Sequence, residues 1–285
     1  MEDIATVSRR RRRRSLWPAT SYTVLTVLAL FSLGPILVLL FNSLKTDAEL
    51  GRNPLGFPTD PVFANYPEAW SEGGMAVGLR NSLVLVTGTV IGVCLIAGLA
   101  AYALARLNLL GQNAALFYLV VGSTIPGILF VAPLFNLWVR LHLYDTLLGL
   151  IIIYCAFEAP FATLLLRSFF LSLPKDFEEA ARIDGANEFQ VLTRVVLPLS
   201  WPGFLTIALV AGLSAWNEFF FAVTFIQTND RMPVVTTFLN FVHGFSRDWG
   251  LTSAAAVLIV LPVIVLFLLL QKRFIAGLTS SGLKG

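Results

Sequence analysis

Charge is scarce in this chain of 285 residues. Asp, Glu, Lys and Arg together make up 13% of it, where a soluble globular domain carries about 25%. With 56% hydrophobic residues and a mean hydropathy of +0.78, that shortage excludes an ordinary soluble globule. Cysteine is almost absent too. Cys94 and Cys155 both fall inside apolar runs, so they build no disulfide framework and no metal-ligand spacing. Neither of the two histidines, His142 and His243, has a metal-binding partner nearby in sequence. No G-x-x-x-x-G-K-[ST] phosphate loop, H-E-x-x-H or G-x-S-x-G occurs, which excludes ATP binding of that kind and argues against the matching proteases and esterases. The chain is expected to hold no catalytic residue, metal or cofactor of its own. Energy must come from a partner.

What is present is a set of long apolar runs. A membrane span needs about 20 mostly apolar residues, and six runs qualify: Tyr22–Phe41, Leu83–Ala105, Ala114–Val139, Thr146–Arg167, Gly203–Ile226 and Ser253–Leu270. Pro126 and Pro133 interrupt the third, a break that bundled spans tolerate when neighbours satisfy the freed backbone groups. The expected fold is all-α, a polytopic membrane protein with six transmembrane helices. A basic segment over 1–20 precedes one transmembrane domain over 21–285, with a core at 81–270, a polar loop at 171–202 and a tail at 271–285.

Lysine and arginine set the expected orientation. With both termini inside, the inner face holds Arg9–Arg14, Arg106, Arg167, Lys175, Arg182, Arg194, Lys272, Arg273 and Lys284, fourteen in all. The outer face holds six: Lys45, Arg52, Arg80, Arg140, Arg231 and Arg247. That places the 171–202 loop in the cytoplasm. The arginine run itself could be read as nucleic-acid binding or as a twin-arginine export signal. No small-residue cleavage site follows it and five more spans do, so the favoured reading is an inside anchor drawn to anionic lipid. No nucleic-acid partner is needed.

The outer segment from Ser43 to Asn81 carries Pro54, Pro58, Pro61 and Pro67 among aromatics, so it cannot be one long helix. A short loop at 141–145 and a longer one at 227–252, with Phe238, Phe241, Phe245 and Trp249, complete the outer face. Gly88 and Gly92, continued by Gly98 and Ala101, let helix backbones approach closely. Packing within the chain is preferred over a dimerisation face.

The 171–202 loop reads as two short helices joined by a sharp turn. Pro174 suits a first helical position, and Asp176 with Glu179 forms a capping pair. Gly185 supplies the left-handed residue that ends the first helix, Asn187 caps the second, and Pro198 stops it. Leu192, Val195, Val196 and Leu199 share one apolar face. The whole loop looks like a docking lever at a membrane surface.

Those residues carry a resemblance. Glu179-Ala180-Ala181, Asp184-Gly185-Ala186 and Leu197-Pro198-Leu199 with Pro202 resemble the "EAA" loop of ABC-importer membrane subunits. The NSL at 81–83, the AAYALAR at 100–106 and the tail QKRFIAGLTSSGLKG are similar to the carbohydrate-uptake class, closest in style to the second permease subunit of maltose and trehalose importers. The resemblance implies an ABC type I importer permease in the bacterial inner membrane, in a heterodimer with a second homologous permease subunit. Two cytoplasmic ATPase subunits, which hold ATP and Mg, and an extracytoplasmic solute-binding protein complete the assembly. It further implies that Glu179, Ala180, Ala181, Asp184, Gly185 and Ala186 couple to the ATPases, and that Gly277, Leu278, Thr279 and Ser280 of the tail touch them. Spacing alone would make that tail a frayed, glycine-rich end.

Charges within the hydrocarbon face a cavity or a partner. Glu158 and Glu218 both lie in the middle of expected spans, the latter beside Trp216, Asn217 and Phe219. Catalysis by the two carboxylates is disfavoured because no His, Cys or metal signature accompanies them. A translocation path is the better reading: carboxylates and amides bind sugar hydroxyls, and aromatic faces pack on a pyranose ring. Related chains often carry a polar residue at both places, with an amide commoner than Glu at position 158. An ion-coupled secondary transporter, an importer of glycerol-phosphate-type or other non-sugar solutes, and a membrane-embedded enzyme are the rival readings.

Overall fold

A computed structural model describes residues 17–242 and 248–282, and among these residues every regular element is a helix. The arginine run at 9–14, His243, Phe245, Arg247 and residues 283–285 lie outside the described residues.

α1 (Trp17–Asn42) carries the first apolar run. Its side chains from Tyr22 to Leu37 are largely exposed, as they would be in lipid. The proline-rich segment after it breaks into α2 (Asp47–Arg52), capped by Thr46, and α3 (Asn65–Glu72). Lys45, counted above as an outer charge, is fully buried. Its ammonium donates to the Asn42 side chain at 3.0 Å and to the Asn53 carbonyl at 2.7 Å.

α4 (Met75–Arg106) is a single helix of 32 residues. At 1.5 Å per residue it is about 48 Å long, well beyond a hydrocarbon core of about 30 Å. The third apolar run is not one straight helix. α5 (Gln112–Thr124) ends where Pro126 biases Ile125 to an extended backbone, φ −75° and ψ 125°. A 3₁₀ turn (Gly127–Phe130) and α6 (Val131–Arg140) then leave at 94°. α7 (Leu147–Ser172) follows and stays helical through Pro160.

The polar loop forms α8 (Asp176–Ile183) and α9 (Glu188–Val191), a π turn over Leu192–Val196, and α10 (Leu197–Leu199). Pro198 therefore sits inside the final turn rather than stopping the helix before it. α11 (Trp201–Asn217) departs at 74°. The fifth apolar run is also broken, because α11 ends at Asn217 and α12 (Phe220–Phe225) starts afresh. After a 3₁₀ turn (Asn229–Arg231) come α13 (Val234–Thr237), α14 (Leu239–Val242) and α15 (Trp249–Gly282). Helix thus continues through Gly277, Leu278, Thr279 and Ser280, where the glycine content argues against one. Among the described residues, four helices are long and apolar enough to span a membrane, or up to six if each bent pair is one span.

α4, α7 and α11 pack together as the centre of the bundle. Gly88 and Gly92 make the close approach possible. A Cβ added to Gly88 would sit 2.6 Å from Ile151 Cδ1, and one on Gly92 would sit 2.5 Å from Cys155 Sγ. Both glycines therefore serve packing within the chain, against α7. Cys155 is buried at that contact, whereas Cys94 is half-exposed.

Candidate coupling loop and membrane path

α8 ends in a Schellman turn, in which the Gly185 N–H reaches the Arg182 carbonyl and the Ala186 N–H reaches that of Ala181. Gly185 has φ +86°, and a Cβ there would meet nothing within 4 Å. Asn187 then opens α9 with a capping box: its side chain accepts the Gln190 N–H at 2.9 Å, and Gln190 accepts the Asn187 N–H at 2.9 Å. The expected capping pair of Asp176 and Glu179 does not form. Lys175 occupies that N-cap with helical dihedrals and no side-chain bond, so α8 begins without one.

One face of the loop is sewn to the bundle. Val191, Leu192 and Val196 are buried in the core shared by α4, α7 and α11, and Ala181 and Ala186 pack against it. Val195 is half-buried and Leu199 exposed, so the apolar face is narrower than its sequence spacing suggested. Small side chains at 181 and 186 let the turn sit close to the helices beneath.

Polar bonds complete the seam, and their key residue was not singled out in the sequence. Glu178 is buried and pairs with Arg106 at 2.6 Å, each side chain only 3% exposed. Arg106 also donates to the Leu173 carbonyl at 3.2 Å. Arg182 meets Glu178 at 3.5 Å and Glu188 at 2.8 Å, and the Tyr102 hydroxyl donates to Glu188 at 2.7 Å. The hydrogen bonds from Arg182 and then Tyr102 hold the Glu188 carboxyl down at about 2, outweighing the opposing effect of burial.

The opposite face is free among the described residues. Ile183 is 86% exposed, Phe189 71% and Phe177 55%. Glu179, Ala180 and Asp184 share that exposed side. Large apolar side chains beside carboxylates on a polar loop form a surface suited to a partner protein.

Residues 88–280 match the family described as the binding-protein-dependent transport system inner membrane component. The chain belongs to that family. It is 38% identical to the sulfoquinovosyl glycerol transport system permease protein SmoH of Agrobacterium fabrum, over 91% of this chain and 92% of that one. It is 33% identical to the trehalose transport system permease protein SugB of Mycobacterium tuberculosis, over 94% of this chain and 98% of the relative. Its fold is similar to a crystal structure of a bacterial ABC transporter involved in import of the acidic polysaccharide alginate. The TM-score is 0.78 at 24% identity, covering 96% of this chain and 100% of that one.

Within the permease, the membrane-depth polar residues separate into two groups. Glu218 is not mid-helix but at the break between α11 and α12. Its carboxylate accepts the N–H groups of Phe221 at 2.8 Å and Ala222 at 3.0 Å, which caps α12, and the Tyr154 hydroxyl at 2.9 Å. Trp216 is buried in a core cluster that also holds Ala69, Met75 and Val234, and its indole N–H has no hydrogen-bond partner among the described residues. Both side chains are turned into the protein. Asn217 and Phe219 remain exposed, and half-buried Glu158 accepts from the exposed Ser214 hydroxyl at 2.6 Å. Ser214 was not anticipated from the sequence.

On the side opposite the loop, Asp145 forms a second polar junction. It accepts the N–H groups of Gln227 at 2.9 Å and Thr228 at 3.1 Å and pairs with Arg231 at 3.1 Å. Burial acts to raise its pKa, but the bonds from Thr228 and Gln227 and the Arg231 charge outweigh it and hold the carboxyl below its ordinary value. Asp145 has φ +54°, a left-handed conformation that Asp tolerates better than most residues. Among the described residues, no cluster of His, Cys, Asp or Glu could hold a metal ion.

Proposed function

We propose that this permease is one of two different membrane subunits of an ABC importer for a carbohydrate. It lies in the bacterial inner membrane with both termini cytoplasmic, as the lysine and arginine balance favours. Two separate ATPase subunits supply ATP hydrolysis, with its Mg, and an extracytoplasmic binding protein delivers the solute. The observation that carries the reading is the two-faced loop at 175–190. Its back is fastened by the buried Arg106–Glu178 pair, while Phe177, Ile183 and Phe189 project outward. A loop built in that way transmits a push as a rigid body.

Support for the carbohydrate comes from relatives named for trehalose and for diacetylchitobiose, the latter 33% identical in Streptomyces coelicolor. A second crystal structure of similar fold, with a TM-score of 0.63 and 19% identity, is of an alginate transporter with a periplasmic protein bound to an alginate pentasaccharide. Glu158, Ser214, Asn217 and Phe219 form the path face in this reading, since exposed polar groups at membrane depth need water, solute or a partner. Glu218 and Trp216 frame that face from behind. Nucleotide-driven closure of the ATPases shifts the bundle between inward-open and outward-open states. The helical end at Gly277, Leu278, Thr279 and Ser280 reaches the ATPases, since α15, at about 51 Å, overshoots the hydrocarbon core.

The test is purification of the tagged chain from cells expressing the neighbouring transport genes. Co-purifying ATPase subunits, lost when Phe177, Ile183 and Phe189 are together replaced by Ser, support the reading. A chain that purifies without any ATPase subunit overturns it.

A further inference from the structure

α4 is fastened at both ends to elements far from it in sequence. At its last turns, Tyr102 donates to Glu188 at 2.7 Å, and Arg106 holds buried Glu178 at 2.6 Å and the Leu173 carbonyl at 3.2 Å. Near its start, the Asn81 side-chain amide donates to the carbonyls of Asp230 at 2.9 Å and Met232 at 3.1 Å. The Ser82 hydroxyl accepts the Val234 N–H at 2.9 Å. Asn81 and Ser82 are 2% and 1% exposed, and polar groups so deeply buried are held by the partners they satisfy. Gly78 brings the same segment closer, because an added Cβ would lie 2.9 Å from Val234 Cα.

Between these two fastenings the helix has no break and no proline. The 25 residue steps from Asn81 to Arg106 rise about 38 Å, more than the hydrocarbon thickness of about 30 Å. The two bent pairs offer no comparable straight connection, since they turn by 94° and 74°.

We propose that α4 is a tie rod across the membrane, with Tyr102 and Arg106 positioning the coupling loop and Asn81 and Ser82 positioning residues 230–237. A displacement of the loop is then delivered as one body to the opposite side of the bundle, where a binding protein would be engaged. Packed helices of this kind shift between discrete arrangements rather than deform continuously. The proposal rests on the reading of 175–190 as the ATPase-docking loop.

The experiment uses the assembled importer in proteoliposomes, with its ATPase subunits and solute-loaded binding protein. The quantity read is the ratio of ATP hydrolysis with and without binding protein, per assembled complex. Arg106→Gln and Asn81→Ala, at opposite ends, should each lower that ratio at least about fivefold. Arg106→Lys should recover part of it, which a merely structural deficit in assembly would not mimic. Should Arg106→Gln fail to assemble, Tyr102→Phe reads the inner end by removing one hydroxyl, and Ser82→Ala likewise serves for the outer end. Full stimulation in the outer-end variants, with loss only at the inner end, overturns the rod and leaves a local clamp. Full stimulation at both ends overturns both. Absence of ATPase subunits from the wild-type complex defeats the docking reading first, and the rod with it.

Discussion

Tyr154 on α7 donates a 2.9 Å hydrogen bond to Glu218, the residue at which the fifth apolar run breaks. The same carboxylate caps α12 through the amides of Phe221 and Ala222. A charged side chain at this depth is costly unless partners meet it, and here a hydroxyl and two N–H groups do. Glu218 therefore holds the kink in place.

Replacing Glu218 by Ala should lower the stability of the bundle. A helix cap contributes about 1 kcal/mol and an interhelical bond in a bilayer averages about 0.6 kcal/mol, so a loss of roughly 1–2 kcal/mol is expected. Thermal unfolding of the purified complex checks this. Tyr154→Phe should show the smaller part of the same shift. Reduced uptake with unchanged melting in Glu218→Ala would assign the carboxylate to the path instead.

Glu158 should behave in the opposite way. It is half-buried beside the exposed Ser214 hydroxyl, so Glu158→Gln and Asn217→Ala should leave melting nearly unchanged. Each should alter the solute dependence of uptake severalfold, the scale of one or two hydrogen bonds of about 1 kcal/mol. Unaltered uptake kinetics in both variants would remove this face from the path.

Gly185 gives a conformational prediction. Its φ of +86° is left-handed, with open space where a Cβ would project. Gly185→Val should cost about 1–2 kcal/mol or more in backbone strain, whereas Gly185→Asn is tolerated because Asn adopts that region. Uptake should be lost in the first variant and retained in the second, with both inserted in the membrane. Equal uptake in the two would show that the turn is not needed for coupling.

The loop illustrates what local sequence reveals. Gly185 and Asn187 were legible because a left-handed glycine and an Asn-x-x-Gln cap act within a few residues. Glu178 was not, since its partner Arg106 lies 72 residues away and nothing local separates it from Glu179. The apolar runs gave the helices, but breaks inside them depended on tertiary partners. Pro126 announces its own bend, whereas Glu218 in an apolar run reads as a mid-span charge until Tyr154 and the α12 amides are seen around it. The burial of Lys45 was hidden for the same reason, since the Asn53 carbonyl that accepts from its ammonium lies eight residues on. In the tail, glycine content argued against a helix that the structure carries through to Gly282.

The helical end of α15 has its own test. Deleting residues 279–285 should leave the spans folded and the loop docked, yet change the ATP hydrolysis rate of the assembled complex. Unaltered hydrolysis and transport would remove the end from the ATPase interface.

The most direct test of the whole account is solute uptake into proteoliposomes holding this permease, its companion permease and the ATPase subunits. A labelled carbohydrate bound by the cognate binding protein is supplied outside, and ATP is enclosed on the side of the 175–190 loop. The account predicts accumulation that requires ATP, the binding protein and the ATPase subunits together. Uptake by this chain alone, driven by an ion gradient without ATP, would contradict it.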